Sequence, residues 1–405
     1  MPVACSNRRG RKVTSNFVKR VAKPALAAAL AAGVVSGLAA CGSSNATDSS
    51  AGGAPVDSSA IGDTAKAAVA AVEGPITSWP TRTKIDGVPD LKGKSIVYVE
   101  INGAISSIQQ FGVGLTEAMK ALGATVTVCD AKSNPTQAAD CITKAVDSGA
   151  AGIVASSISY NMAPSAIDAA TKAGVPVLIA GGGVSSARPA DKTLAYYDTG
   201  SRLVGVWDLL NDIALQNHGA DSSVLWVYNT DNELNKISAQ TAIADYKKAC
   251  PDCGITPISF TTANLSQLPA AISAALVAHP DVNTVIVPVD AFVTQAQQGI
   301  QGAGGSSKPD IVSMSGSLAG LQLVKSGVLK ADVGYPLIYE GWVYGNALLE
   351  LMSGKSVDSL ANPPLRVFDS SNIGSLKLDQ ASSTSGVWYG DESYKQAFLT
   401  AWGVK

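Results

Sequence analysis

The chain has 405 residues and a formal charge of −2, unevenly spread: residues 1–40 carry seven basic side chains and no acid, leaving 23 basic against 32 acidic residues beyond them. An acidic body excludes nucleic-acid binding, which needs basic patches. Beyond a tether, roughly 310 residues remain, too many for one typical core, so two domains are expected.

In chain order, Arg8, Arg9, Arg11, Lys12, Lys19, Arg20 and Lys23 precede an apolar run from Pro24 to Ala40, which ends in Leu38-Ala39-Ala40-Cys41. A basic start, a short apolar core and small residues at its end are the parts of a secretory signal. The run falls short of the roughly 20 residues a spanning helix needs. The tetrapeptide before and including Cys41 resembles the lipobox of bacterial lipoproteins. That resemblance implies a cut after Ala40 and a diacylglyceryl group on Cys41, which would hold the protein on the extracytoplasmic face of the cell membrane. Arg8-Arg9 leaves the export route open between the general and the twin-arginine pathways. Residues 1–40 are thus read as a signal peptide, and residues 41–92 as lipid anchor and flexible linker with a short helix over 63–73. Residues 42–60, mostly Gly, Ser, Ala, Asp and Asn, would supply slack.

From Lys94 a regular pattern begins. KSIVYVEI precedes a helix over 109–122, TVTVC one over 135–148, and GIVASS one over 163–173; PVLIAGG follows. Gly123, Gly149 and Gly174 stand where C′ glycines are favoured. LAYYDT then leads to a helix over 201–216, VLWVYN to 238–249, ITPISF to 266–279, TVIVPV to 291–302 and DIVSMS to 319–326. Short β-branched runs with little alternation predict strands buried on both faces, and their alternation with helices predicts parallel sheets covered on both sides. The fold class is α/β, with two doubly wound parallel-sheet lobes. Ligands in such sheets sit beyond the carboxyl ends of the strands, so two facing lobes direct their loops into one cleft.

Outside the cytoplasm thiols tend to pair. Sequence proximity favours disulfides Cys129–Cys141 and Cys250–Cys253. Cys250-Pro-Asp-Cys253 has the spacing of a redox motif, but it lies between a helix and a strand, without the strand-then-helix context of a thiol oxidoreductase. With two histidines in the chain, a zinc site lacks ligands, and no metal or cofactor is expected. His218 and His279 fall at helix ends, away from strand carboxyl ends, which argues against a Ser-His-Asp site.

The order of phrases carries a resemblance: KSIVYVEIN, PTQAADCITKAVDSGAAGIV, KAGVPVLIAGGG, AYYDTGSRLVG, TVIVPVDAFVTQAQQGIQGAG and ADVGYPLIYEGW. Over residues 94–370 the chain resembles type I periplasmic solute-binding proteins, the sugar-binding, ribose-binding-like branch of ABC importers. The resemblance implies the periplasmic-binding-protein-like I fold with a three-strand hinge, the chain crossing near Asp198, near Gly334-Tyr335 and near Leu365. The lobes are then residues 93–197 plus 336–363 and residues 198–335 plus 364–405. It also implies a monomeric, non-enzymatic receptor that hands a small molecule to an ABC permease. A ligand sensor for a membrane signalling protein, or an enzyme on the same fold, are the alternatives.

Carried over residue by residue, the resemblance implies a ligand clamp that departs from the family's charged pattern. Asn102 stands at the first strand end, with Ser106 after it. Gly181-Gly182 replaces an Asp-Arg pair, Val289-Asp290 keeps only the acid, and Ser315-Gly316 replaces Asp-Gly. Tyr335 stands for a glutamine, and no arginine is found near Lys236. Ser156, Tyr160, Asp198 and Asp231 complete the candidate set, with Trp342 a weaker stacking candidate. Asp290, Asp198 and Asp231 have N-capping as their alternative role, and Tyr160 and Tyr335 have packing. Gly181-Gly182-Gly183 lacks phosphate-loop spacing and suits close backbone approach. A neutral, aromatic clamp points to a neutral ligand: a sugar, sugar alcohol or cyclitol held by neutral hydrogen bonds and one carboxylate.

Overall fold

The structure, a computed structural model, describes residues 58–404 except 232, 306–307 and 358–362. The signal peptide, Cys41 and most of the linker lie outside the described residues. Along the chain come α1 (Ser58–Ala70), β1 (Ser95–Glu100), α2 (Ser106–Ala121), β2 (Thr125–Asp130), α3 (Pro135–Asp147), β3 (Gly152–Ser156), α4 (Pro164–Lys172), β4 (Val177–Ala180) and β5 (Leu194–Tyr197). The five strands form one parallel sheet in the order β2-β1-β3-β4-β5.

A second series follows: α5 (Gly200–His218), β6 (Ser223–Asn229), α6 (Glu233–Ala249), β7 (Gly254–Phe260), α7 (Leu268–Ala278), β8 (Thr284–Ile286), α8 (Val293–Ala303), β9 (Asp310–Ser315), α9 (Leu318–Lys325) and β10 (Ala331–Gly334). Then come α10 (Leu337–Met352), β11 (Arg366–Asp369), α11 (Gln380–Ser385) and α12 (Ser393–Trp402). The second sheet runs β11-β10-β9-β8-β6-β7, parallel except for β11.

The central strands are buried throughout, as their continuous apolar runs predict. The edge strand β2 is half exposed instead, with Thr125 and Thr127 facing solvent, and β7 is mostly half-buried; the other two edge strands, β5 and β11, are buried. Asn134 caps α3, its side-chain oxygen accepting from the backbone N–H of Thr136 (2.9 Å) and Gln137 (3.1 Å), with Pro135 in the first turn where its missing N–H costs nothing.

The crossings fall between β5 and α5, between β10 and α10, and between α10 and β11. Two further connections join them. Helix α1 packs on α5 in the second lobe, with Ala65 and Val69 in the core there. The following segment then reaches the first lobe, where Ile85 donates its backbone N–H to Ala401 (2.8 Å). At the other end, α12 leaves the second lobe: Tyr394, Phe398, Ala401 and Trp402 are buried in the first-lobe core. Residues 393–402 therefore pack with the first lobe rather than the second, because their aromatic face completes a cluster with Tyr339 and Trp342 of α10. Likewise the segment before β1 is more than a tether: Trp79 stacks on Tyr339 (centroids 4.8 Å apart) and Ile85 and Leu91 are core residues.

Helices α2 and α10 cross at glycines. A Cβ at Gly341 would lie 2.2 Å from the Phe111 carbonyl oxygen, and one at Gly114 would lie 2.1 Å from that of Ile338. This backbone contact fixes α10 against the first sheet and so sets where the crossing from β10 enters. Both disulfides are present, Cys129–Cys141 and Cys250–Cys253. The first ties edge strand β2 to α3; the second closes the turn between α6 and β7.

Candidate functional site

The carboxyl ends of both sheets converge on one interior cavity of about 140 Å³. That is close to the roughly 150 Å³ of an apolar cavity able to take up benzene, so a small molecule is what it can hold. From the first lobe, Ile101 follows β1, Ser157 follows β3 and Gly181 follows β4, while Ile108 and Phe111 descend from α2. From the second lobe, Asn229 ends β6, Asp231 follows it, and Arg202, Leu203 and Trp207 come from the first two turns of α5. Pro288, Val289 and Phe292 follow β8, and Met314 lies on β9. The lobes meet over the cavity: a Cβ at Gly183 would lie 3.3 Å from that of Leu234. Gly182 is equally constrained, since a Cβ there would lie 2.2 Å from the Ile158 carbonyl oxygen. The glycine run thus serves close backbone approach, as its spacing suggests.

One charge centre stands at the junction of the lobes. Arg202 Nη1 lies 2.7 Å from Glu340 Oε2, with side chains 8% and 0% exposed. The guanidinium also sits over the Tyr335 ring, 4.7 Å from its centroid. Burial acts to lower the Arg202 pKa, but the Glu340 carboxylate together with Tyr197, Tyr335 and Tyr344 around it more than reverses this, so the arginine is held charged. Burial raises the Glu340 pKa, and Arg202 offsets that only in part. Tyr335 is pushed up to about 12, first by burial. A second polar group braces the mouth. Asn229 Nδ2 donates to Asp231 Oδ2 (2.8 Å), and the Thr262 N–H donates to Asp231 Oδ1 (3.0 Å) while its hydroxyl donates to Oδ2.

Of the residues singled out in the sequence, Gly181, Asp231 and Tyr335 line the cavity. The others have different surroundings. Asn102 shapes its own turn, donating to Ser133 Oγ (3.0 Å) and accepting from the Ala104 N–H (2.9 Å), and it is Ser133 that reaches the cavity. Ser106 faces a separate groove with Gln110, Leu318 and Gln322, between α2 and α9. Ser156 is fully buried inside the sheet; the next residue, Ser157, lies past the end of β3 with a φ of 58° and lines the cavity. Tyr160 lies on the outer surface, its hydroxyl donating to Asp168 (2.9 Å) beside Arg188. Asp198 is exposed and accepts from the Gly200 N–H (2.9 Å) at the start of α5. Ser315 is buried with a φ of 133°, beneath Tyr389.

Asp290 is 6% exposed and turns away from the cavity; its Oδ2 accepts from the Ser317 N–H (3.3 Å) ahead of α9. It is not the N-cap of the following helix either: α8 begins without a side-chain cap, and the N-cap of α9 is Ser317. Asp332, fully buried, shares that site and accepts from the Gly316 N–H (3.0 Å). Desolvation raises both carboxyls, Asp290 to about 6 and Asp332 well above the usual range, the latter also through repulsion from Asp290. Trp342 is packing, stacked on Trp402 at 5.5 Å.

Arg202, Asn229, Ser157, Thr262, Trp207 and Tyr344 are the cavity residues that sequence reasoning missed. Arg202 was within reach: it stands in AYYDTGSRLVG, just after the first crossing, whereas the search for an arginine centred on Lys236. A helix that begins at the crossing presents its first turn to the cleft, and that is the signal. For Tyr344, two turns into α10, no signal existed without the packing of α10 on α2.

Residues 96–356 match the periplasmic binding protein domain. No curated protein matches the chain. Among solved structures, it is similar to the 5-methylthioribose transporter solute-binding protein of Thermotoga lettingae TMO, with TM-score 0.62 and 16% identity over 79% of this chain and 99% of that one. It is also similar to an ABC transporter solute-binding protein of Agrobacterium vitis with bound D-fucose (TM-score 0.57, 19% identity, 70% and 97% covered). A carbohydrate transporter of Acidothermus cellulolyticus 11B in complex with myo-inositol is a third (TM-score 0.55, 17% identity, 74% and 100% covered).

Proposed function

The chain belongs to the periplasmic binding protein domain family, and from that premise we propose that it captures a small neutral sugar or polyol between its lobes and delivers it to an ABC importer. Cys41 would carry the lipid that keeps the receptor at the extracytoplasmic face of the membrane, close to its permease, with residues 42–57 as slack. The protein acts as a monomer in this reading and performs no chemistry on its cargo. Gly181, Asp231 and Tyr335 are the proposed ligand contacts from the sequence-derived set, joined by Asn229, Ser157 and Arg202.

The observation that carries the reading is a cavity lined by strand ends of both sheets. A ligand there touches both lobes at once, so its binding energy favours the closed arrangement by whatever it gains over the open one. Neutrality follows from the charges already present. Arg202 is matched by Glu340, and Asp231 stands at the mouth. The cavity lining thus carries one guanidinium, already paired, and one carboxylate at the mouth, and offers no excess of either charge to an ionic ligand.

Titration calorimetry of the purified mature chain against neutral sugars, polyols and cyclitols, with sugar phosphates and sugar acids alongside, tests this. One-to-one binding of a neutral member is expected. Binding confined to the anionic members would overturn the reading.

A further inference from the structure

Resting on the reading of a receptor for neutral solutes, we propose that the ligand carries an apolar portion, and that the cavity prefers partly hydroxylated molecules over fully hydroxylated ones. The wall is the reason. Phe111, Phe292 and Met314, joined by Val206 and Ile108, are apolar cavity residues, and Trp207 beside them brings one indole N–H. Each is at most 7% exposed, so this side of the cavity is held by the cores of both lobes and cannot turn over to present polar groups.

Several of the polar groups that remain are already committed to one another. Asn229 and Thr262 donate to Asp231. Ser133 accepts from Asn102, and Arg202 is matched by Glu340. These groups can bind a polar head at one end of a ligand, through Asp231's neighbourhood at the mouth and Tyr335 across from it. They cannot satisfy a molecule with hydroxyls on every carbon. A hydroxyl pressed against the apolar side loses its water partners and gains none, and a buried polar group left unpaired is costly. A CH₃ or CH₂ group in the same place leaves water at no such cost. The occupant that fits is a small neutral molecule, with hydroxyls at one end and an alkyl or deoxygenated portion at the other.

The test compares matched neutral pairs by titration calorimetry: polyols of four to six carbons against their terminally deoxygenated and O-alkylated derivatives. The derivatives are expected to bind tighter, by up to about fourfold for each carbon that enters the apolar side. Two variants, Leu203→Asn and Val289→Asn, replace half-buried apolar cavity residues that the fold tolerates changing. Each is expected to reduce the derivatives' advantage over the parent polyol, read as the ratio of the two affinities measured on the same variant. Equal or tighter binding of the fully hydroxylated parents would overturn the proposal and leave the neutral-solute reading intact. So would an advantage that persists unchanged in both variants. Binding of anionic ligands alone would instead overturn the reading on which it rests.

Discussion

Replacing Glu340 by Gln removes one half of the buried ion pair that joins α10 of the first lobe to α5 of the second. At 2.7 Å and an effective dielectric of about 20, the attraction is about 6 kcal/mol. Desolvating each ion costs several kcal/mol, so the pair as a whole contributes little net stability. Glu340→Gln alone, however, leaves the Arg202 charge buried over Tyr335 without a counter-charge, and the expected loss is about 3–5 kcal/mol. The apolar double replacement Arg202→Met with Glu340→Leu removes both charges, and its expected stability lies within about 2 kcal/mol of the parent chain, on either side. Equilibrium urea unfolding of the parent chain, Arg202→Met, Glu340→Leu and their combination, with Glu340→Gln alongside and a common m-value, measures the coupling. The reasoning fails if Glu340→Gln costs less than about 1 kcal/mol, or if the double replacement loses as much as the two single ones together.

Other consequences concern packing, redox state and pH. Gly341→Ala drives a methyl into the Phe111 carbonyl, 2.2 Å from its ideal position; separating α2 from α10 should cost about 1–3 kcal/mol in urea midpoint experiments, whereas Gly354→Ala, with nothing within 4 Å, should lose only what its positive φ demands. Opening Cys129–Cys141, with a sequence separation of 12, should cost more than opening Cys250–Cys253, with a separation of 3: about 3 against about 2 kcal/mol by loop entropy, read from Cys→Ser pairs under oxidising conditions. For Asp290 and Asp332 the folded pKa lies above the unfolded value, so between about pH 4 and 7 the folded state holds more protons and stability falls as pH rises. The rise of Asp290 from 3.8 to about 6 corresponds to about 3 kcal/mol. Asp332→Asn, which keeps an oxygen for the Gly316 N–H, should therefore stabilise the chain more at pH 8 than at pH 5, and equal gains at both pH values would refute the linkage.

The architecture was legible because each βα unit signals itself locally. Runs such as SIVYVE and SVLWVY are apolar on both faces and sit in the sheet centres, and Gly123, Gly149 and Gly174 take positive φ where the helices end. What stayed hidden depends on contacts distant in sequence. Helix α12 reads as a C-terminal amphipathic segment with no indication of which lobe it joins; only Tyr339, Trp342 and Trp79 decide that, and they lie elsewhere in the chain. The site was partly legible for a similar reason. Strand ends point to the cleft, which located Gly181, Asp231 and Tyr335, but a shift of one residue separates buried Ser156 from cavity-lining Ser157. Acidic residues at strand ends have several uses, and sequence alone does not separate the turn bonded by Asp198 and the buried site of Asp290 from the cavity position of Asp231. Arg202 was missed because family position was given more weight than the geometry of a helix beginning at a crossing.

The central claim is that the ligand sits between the two sheets' carboxyl ends. The most direct measurement is a crystal structure of the mature chain with the tightest neutral ligand from the calorimetric panel. It should show the molecule enclosed by both lobes, within contact distance of Gly181, Asn229, Asp231 and Tyr335, with its apolar portion against Phe111 and Phe292. A ligand bound in the groove between α2 and α9, or touching one lobe alone, would contradict the account.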